Sequence, residues 1–355
     1  MTPKGWIVLK QRLSYLFLLV LAGSVLTWAY PRTHPERVFF RDAEASFRKR
    51  DYARAAKFYS KAIDHGLRYP SVFVRLMDSR LASGDMAGAA WASGEALKAW
   101  PDDRDVLGQA AKTLLRSGDK AGAASAYERY LNAAPQDEEA AILLAAIYRD
   151  KGELRRAEKL YRAVLAQKTD DEAGPQAEHA KEIPDWVARR ELARVLFYLK
   201  RYEESISQYR KLMAEKPFTF SQTDMDEARV EMAEVMFAAG ASEDAMKVLK
   251  EAPPEKLGEK GRLLMAEIHI SKKEFDMAQA LLRELVGKNP SNREARLRLA
   301  EVLAWSHKYD ESISEYRRAL AEEPGDIQAR RKYAFVLIWA GRFEEAAEEL
   351  RKTLK

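Results

Sequence analysis

The stretch LAEVLAWSHKYDESISEYRRALAEEP, residues 299–324, has a counterpart 107 residues upstream, LARVLFYLKRYEESISQYRKLMAEKP at 192–217; the two match at 14 of 26 positions. A chain that says the same thing at intervals is built from copies of one supersecondary unit, each too small to bury its apolar face alone. Anchored on Ala300, the local pattern recurs at Ala43, Met77, Ala111, Ala145, Ala193, Ala233, Ala266 and Ala334, with successive spacings of 34, 34, 34, 48, 40, 33, 34 and 34 residues. This period, more than any composition, limits what the chain can fold into.

Each recurring residue has a mechanical reason. Twelve residues after the anchors stand Ala55, Ala89, Ala123, Ala157, Ser205, Ala245, Ala278, Ser312 and Ala346, so two small side chains face each other and let two helices approach closely. Four residues further on a large one fills the groove in most copies: Tyr59, Tyr127, Tyr161, Tyr209, Leu249, Leu282, Tyr316 and Leu350. Apolar residues at i, i+3, i+4 and i+7 read as amphipathic helices. Gly84, Gly118, Gly152, Gly240 and Gly341 fall seven residues after their anchors, where the first helix must stop and reverse. Pro101, Pro135, Pro217, Pro290 and Pro324 end the second helix.

A 34-residue helix–turn–helix with small residues at positions 8 and 20, an aromatic at 24 and proline at 32 resembles the tetratricopeptide repeat. With Ala300 at position 8, the repeats fall at 36–69, 70–103, 104–137, 138–171, 186–219, 226–258, 259–292, 293–326 and 327–355. Position 17 adds Tyr52, Tyr202, Phe275, Tyr309 and Phe343. The resemblance implies an all-α, right-handed solenoid of about nine helix–turn–helix repeats. Two departures stand out: Met77 occupies a small-residue position, and 226–258 is one residue short. Both are expected to loosen the packing locally. A block of four repeats (36–171) is followed by an acidic linker (172–185) and a block of five (186–355); the linker reads as a hinge or as a plain solvated loop. The last helix, RFEEAAEELRKTLK, is expected either to cap the stack or to leave its inner face for docking.

The N-terminus follows another rule. Residues 13–31, LSYLFLLVLAGSVLTWAYP, contain no charge. As a helix they would span roughly 28 Å, about one bilayer core. Lys4, Lys10 and Arg12 precede them, and Trp28 and Tyr30 sit where an interfacial belt would fall. An uncleaved transmembrane signal anchor fits this length. A cleaved signal peptide is the alternative, with Thr27-Trp28-Ala29 as a poor cleavage site, and a soluble buried helix is a third reading. The anchor reading makes 1–12 a cytoplasmic segment and places the body in the periplasm, although Arg32, Arg37 and Arg41 weaken the positive-inside contrast.

Charge and chemistry exclude several functions. The formal charge is +5, but residues 1–50 carry nine Lys/Arg against three acids, so the remaining body is close to neutral. No basic stripe for nucleic acid is expected. The absence of cysteine rules out disulfides, thiolate metal sites and a thiol nucleophile. No phosphate-loop, dinucleotide, nucleophile-elbow or zinc-protease motif occurs. The five histidines (His34, His65, His179, His269, His307) include no pair at helical ligand spacing. No catalytic residue, cofactor or metal is therefore expected.

What remains is binding. In tetratricopeptide proteins, first-helix positions 2, 5, 9, 12 and 13 line a concave groove, and the resemblance places there Arg194, Phe197, Tyr198, Glu234, Phe237, Glu267, Glu301, Trp305 and Trp339. Trp305 and Trp339 share a repeat position and stand one repeat apart. They read as anchors for a peptide, a helix or a sugar chain, or as packing against the preceding repeat. The carboxylate clamp of chaperone-tail-binding members needs Lys and Asn on successive first helices. The three asparagines here, Asn132, Asn289 and Asn292, lie elsewhere. The phrases at 192–217 and 299–324 also look like repeats of bacterial exopolysaccharide export proteins. That implies a membrane-anchored scaffold with protein partners in an envelope complex; contact with polysaccharide itself is left open by the residues. The alternative resemblance is to repeat proteins of cytochrome c maturation, which hold peptide segments in the groove.

Overall fold

The computed structural model describes residues 33–166, 184–217, 219–253 and 256–354. The proposed membrane segment at 13–31 lies outside them, as does most of the acidic linker. Among the described residues the chain forms eighteen α-helices and no strand, an all-helical repeat solenoid. No described helix is long and apolar enough to cross a membrane.

The chain divides into two compact units, residues 1–164 and 165–355. The N-terminal block holds four hairpins: α1 (Pro35–Arg48) with α2 (Tyr52–Asp64), α3 (Pro70–Ala82) with α4 (Met86–Ala99), α5 (Arg104–Arg116) with α6 (Lys120–Ala133), and α7 (Glu138–Asp150) with α8 (Leu154–Ala166). The C-terminal block holds five: α9 (Asp185–Tyr198) with α10 (Tyr202–Glu215), α11 (Gln222–Ala238) with α12 (Ser242–Leu249), α13 (Gly258–Ser271) with α14 (Phe275–Lys288), α15 (Arg293–Trp305) with α16 (Tyr309–Glu322), and α17 (Ile327–Trp339) with α18 (Phe343–Arg351). Within a block each hairpin packs on the next, and first helices also meet across repeats, as α3 does α5 and α11 does α13.

The repeat positions are the core. All nine position-8 residues and all nine position-20 residues are buried. Where position 20 is serine, its hydroxyl repays burial by donating to the position-8 carbonyl of the facing helix: Ser205 Oγ to Ala193 O and Ser312 Oγ to Ala300 O, each at 2.7 Å. Met77 does not loosen its repeat as expected. It is fully buried, and the position-24 site of the same repeat holds Ser93 in place of a tyrosine, with Ser93 Oγ 3.0 Å from Met77 Sδ. The large and small residues have exchanged places, which conserves volume.

Every hairpin turns on the same residue. Position 15 is left-handed in all nine repeats: Arg50, Gly84, Gly118, Gly152, Lys200, Gly240, Lys273, His307 and Gly341 have φ between 59° and 90°. The next residue donates its N–H back to a carbonyl five residues earlier, as Asp119 does to Leu114 O at 2.9 Å and Lys308 to Leu303 O at 2.9 Å. This is the hydrogen-bonded stop that a left-handed residue permits. In the first three repeats that next residue is Asp51, Asp85 or Asp119. Its carboxylate also caps the second helix, accepting from Arg54 N, Gly88 N and Gly122 N.

Candidate partner-binding faces

The first helices carry the candidate site, and their charged residues decide how open it is. In the C-terminal block, position 9 is Arg194, Glu234, Glu267, Glu301 and Phe335 in successive repeats. Its three glutamates each hold a cation from the following repeat: Glu234 with Lys260 at 2.6 Å, Glu267 with Arg298 at 2.7 Å, and Glu301 with Lys332. Arg298 bridges back to Glu301 at 3.0 Å, so the ladder runs continuously through α13, α15 and α17. Glu301 is only 8% exposed, and these residues staple repeats together more than they await a ligand. Burial pushes the Glu267 carboxyl above its ordinary range, and Glu301 adds to that, while Arg298 pulls it back.

Arg194 belongs to a second, tighter cluster. Arg190 reaches Glu227 at 2.7 Å and Glu231 at 2.8 Å, and Arg194 holds Glu191 at 2.5 Å and also contacts Glu231. Tyr209 donates to the same Glu231 carboxylate at 3.1 Å. Burial alone would raise Glu231; the hydrogen bonds and charges of Arg190 and Arg194 outweigh it and hold the carboxyl below its ordinary value.

The aromatic residues fall into two classes. Phe197 and Phe237 are half-buried against the core of α9–α13. Tyr198, by contrast, is 59% exposed. Trp305 remains 42% exposed, although its ring lies 6.0 Å from that of Phe275 in the preceding repeat. Packing and presentation therefore coexist at that residue. Trp339 is 52% exposed and is joined on α17 by Phe335 at 54% and Ile338 at 36%. These last two were overlooked in the sequence, although they occupy positions 9 and 12, which the family pattern assigns to the groove. The result is an i, i+3, i+4 apolar patch on one helix.

The N-terminal block presents a different surface. Between α3, α5 and α6 lies a cleft of about 780 Å³, lined among others by Tyr69, Val74, Asp78, Gly108, Lys112 and Tyr130. Asp78 accepts a hydrogen bond from Gln109 Nε2 at 2.5 Å. Burial raises its carboxyl, only partly offset by the charges of Arg75, Lys112 and Arg116. Sequence reasoning missed this cleft because it looked for aromatic anchors. The available signal was Gly108, a glycine in mid-helix at a groove position. Among the described residues no cluster of three or more His, Asp or Glu is arranged to hold a metal. His269 is engaged structurally, Nδ1 lying 2.5 Å from Glu274 Oε2.

Hairpins stacked on recurring small residues, with open first-helix faces, define a helical-repeat protein–protein interaction scaffold. Tetratricopeptide repeat family models match residues 80–147, 114–181 and 306–355, and, with a second model, 263–327. Together these span more than half of the sequence, and the chain belongs to the tetratricopeptide repeat family. Among solved structures it is similar to a tetratricopeptide repeat protein from Parabacteroides merdae (16% identity, TM-score 0.46, covering 76% of this chain and 98% of that one). It is also similar to MamA (18% identity, TM-score 0.39, 46% of this chain and 92% of that one). A third similarity is to the APC/C hetero-tetramer Cut9–Hcn1 (14% identity, TM-score 0.46, 86% of this chain and 53% of that one). No curated protein sequence matches the chain.

Proposed function

We propose that this protein is a membrane-tethered scaffold that holds protein partners against the first-helix faces of its repeats. The observation that carries the reading is the apolar patch Phe335, Ile338 and Trp339, with Trp305 one repeat earlier, exposed beside a ladder in which Glu267, Arg298, Glu301 and Lys332 are committed to one another. Exposed large side chains on a rigid backbone lose little entropy on binding and dominate interface energetics. The uncharged run at 13–31 supports a tether in the cytoplasmic membrane, with the repeat body on the periplasmic side. The likeness of 192–217 and 299–324 to repeats of exopolysaccharide export proteins supports a bacterial envelope complex for surface-polysaccharide synthesis or export as the setting.

The test is site-specific photocrosslinking in membranes. A photoreactive phenylalanine at Trp339 or Trp305 is expected to give a discrete protein adduct, and the same probe at Arg318, an exposed second-helix position, is expected to give none. Equal labelling at all three positions, or adducts to lipid alone, would refute the reading. A reporter enzyme fused at Lys355 fixes the side of the membrane: activity restricted to the cytoplasm rejects the periplasmic assignment.

A further inference from the structure

The first hairpin carries an unusual set of side chains on the face that looks back along the stack. That face is defined in the C-terminal block, where the groove between α14 and the following hairpin is lined on the latter by Arg296, Glu311, Ser314, Glu315 and Arg318. These are repeat positions 4, 19, 22, 23 and 26. Arg296 donates to the Pro290 carbonyl of the repeat before it, and Arg330, at position 4 of the last repeat, donates to the Pro324 carbonyl. Position 4 and its neighbours on the second helix therefore point toward the N-terminal side. In α1 and α2 the same five positions hold Phe39, Arg54, Lys57, Phe58 and Lys61. No other repeat has a base at each of positions 19, 22 and 26.

The five residues form one layer. The Phe39 and Phe58 rings stack with centres 6.4 Å apart, the Arg54 guanidinium lies 5.5 Å from the centre of Phe58, and the Lys61 ammonium lies 5.3 Å from that of Phe39. Arg54 and Lys57 are exposed, and the other three are half-buried. Residues 36–69 hold nine Lys/Arg against five acids, and those acids are spent elsewhere or lie at helix ends. Asp42 is held by Arg41 at 3.1 Å, Glu44 by Arg75 at 3.7 Å, and Asp51 caps α2. Glu36 and Asp64 stand in the first turn of α1 and at the last residue of α2. Among the described residues no carboxylate is within 4 Å of the side-chain nitrogens of Arg54, Lys57 or Lys61. The uncharged run at 13–31 ends four residues before α1 begins at Pro35. A chain that leaves a bilayer at Pro31 thus has roughly 14 Å of backbone before the hairpin. A backward face of cations laid over aromatic rings is complementary to a negatively charged membrane surface at that distance.

We infer that this face of the first hairpin docks on anionic phospholipid headgroups, with Arg54, Lys57 and Lys61 against the phosphates. The inference rests on the tether reading and adds what that reading leaves open, how the first repeat is held once the chain is anchored. The chain has no cysteine, so a single introduced one labels one place. Ala53 and Ala121 are both exposed and share position 18, in the first and third repeats. The full chain, labelled with a fluorophore at Ala53→Cys or Ala121→Cys, is reconstituted in phosphatidylcholine vesicles with and without about one-third phosphatidylglycerol. All vesicles contain a headgroup-nitroxide lipid as quencher. Quenching at Ala53→Cys is expected to rise about twofold with the anionic lipid, and quenching at Ala121→Cys to stay unchanged. Replacing Arg54, Lys57 and Lys61 together by glutamine is expected to abolish the rise. Should that variant fail to fold, about 0.5 M salt, which screens the same charges, decides in its place. Equal quenching in both vesicles, an equal rise at both labels, or a rise that survives neutralisation or salt overturns the inference and leaves the tether standing. A chain stripped from both vesicles by alkaline carbonate overturns both.

Discussion

The two blocks are made from one repeat phrase but deploy their polar side chains in different places. In the N-terminal block the turns are reinforced: aspartates at 51, 85 and 119 stop one helix and cap the next. In the C-terminal block the corresponding residues are Arg201, Ala241, Glu274, Lys308 and Arg342, and none of them caps with its side chain. There the carboxylates sit on the first helices, where they join one repeat to the next through Arg190, Arg194, Arg298 and Lys332. Both blocks carry ion pairs between successive hairpins, as Glu44–Arg75 and Lys112–Glu139 do in the first, but the aspartate caps at the turns belong to the first block alone among these turns. The small-residue core is common to both, so this difference does not touch the fold. The faces left open differ as well: a cleft lined by Asp78, Lys112 and Tyr130 in the first case, exposed tryptophans in the second.

The comparison breaks most readily at Glu231. Removing its carboxylate leaves the buried Arg190 and the half-buried Arg194 without their shared partner, and Glu231→Ala is expected to destabilise the C-terminal block by about 3 kcal/mol. Hydrogen exchange resolved by peptide should show faster opening in α9–α12 and unchanged protection in α3–α6; uniform loss would mean that the cluster does not act locally. The pH dependence has a definite sign. Glu231 is held below its unfolded value, so its contribution is present above the unfolded carboxylate range and is lost as pH falls through the folded value. Asp78 is held above its unfolded value, so the neighbourhood of α3 and α5 gains relative stability on the same acidification. Asp78→Asn should flatten the second response and Glu231→Gln the first.

A smaller effect sharpens what the blocks share. Met77→Ala alone empties a filled site and Ser93→Tyr alone overfills it, each costing about 2 kcal/mol. The double variant restores the pattern of the other repeats and should recover most of that loss in urea melts. Simple addition of the two losses would show that the residues do not share one space.

The smallest effect concerns the turns. Lys273→Gly relieves a left-handed non-glycine residue and is expected to raise stability by about 1 kcal/mol; Gly118→Lys should lower it by a similar amount. Because the N-terminal turn retains its Asp119 cap, the second change should be seen in the melting temperature without loss of helix by circular dichroism.

Most of the architecture was legible because it depends on residues that are neighbours within one hairpin. Small side chains twelve apart, the large one four further and the glycine at the turn announce themselves through their period. Legibility fell where the partner lies a whole repeat away. Glu301 reads as a free groove residue until Arg298 and Lys332 are brought beside it. Phe197 and Phe237 likewise read as open until the core of α9–α13 covers half of each. Gly108 was visible in the sequence, yet its meaning depends on where the Tyr130 ring comes to rest. Trp305 and Trp339 were found because they are large; the N-terminal cleft was passed over because its walls come from three separate helices.

The left-handed residue at position 15 gives every hairpin the same exit. Excising residues 119–152 would join Gly118 to Glu153, a junction with the same local conformation as the one removed. The chain can therefore be shortened or lengthened by whole hairpins, like links in a bracelet, without any remaining turn having to learn a new geometry.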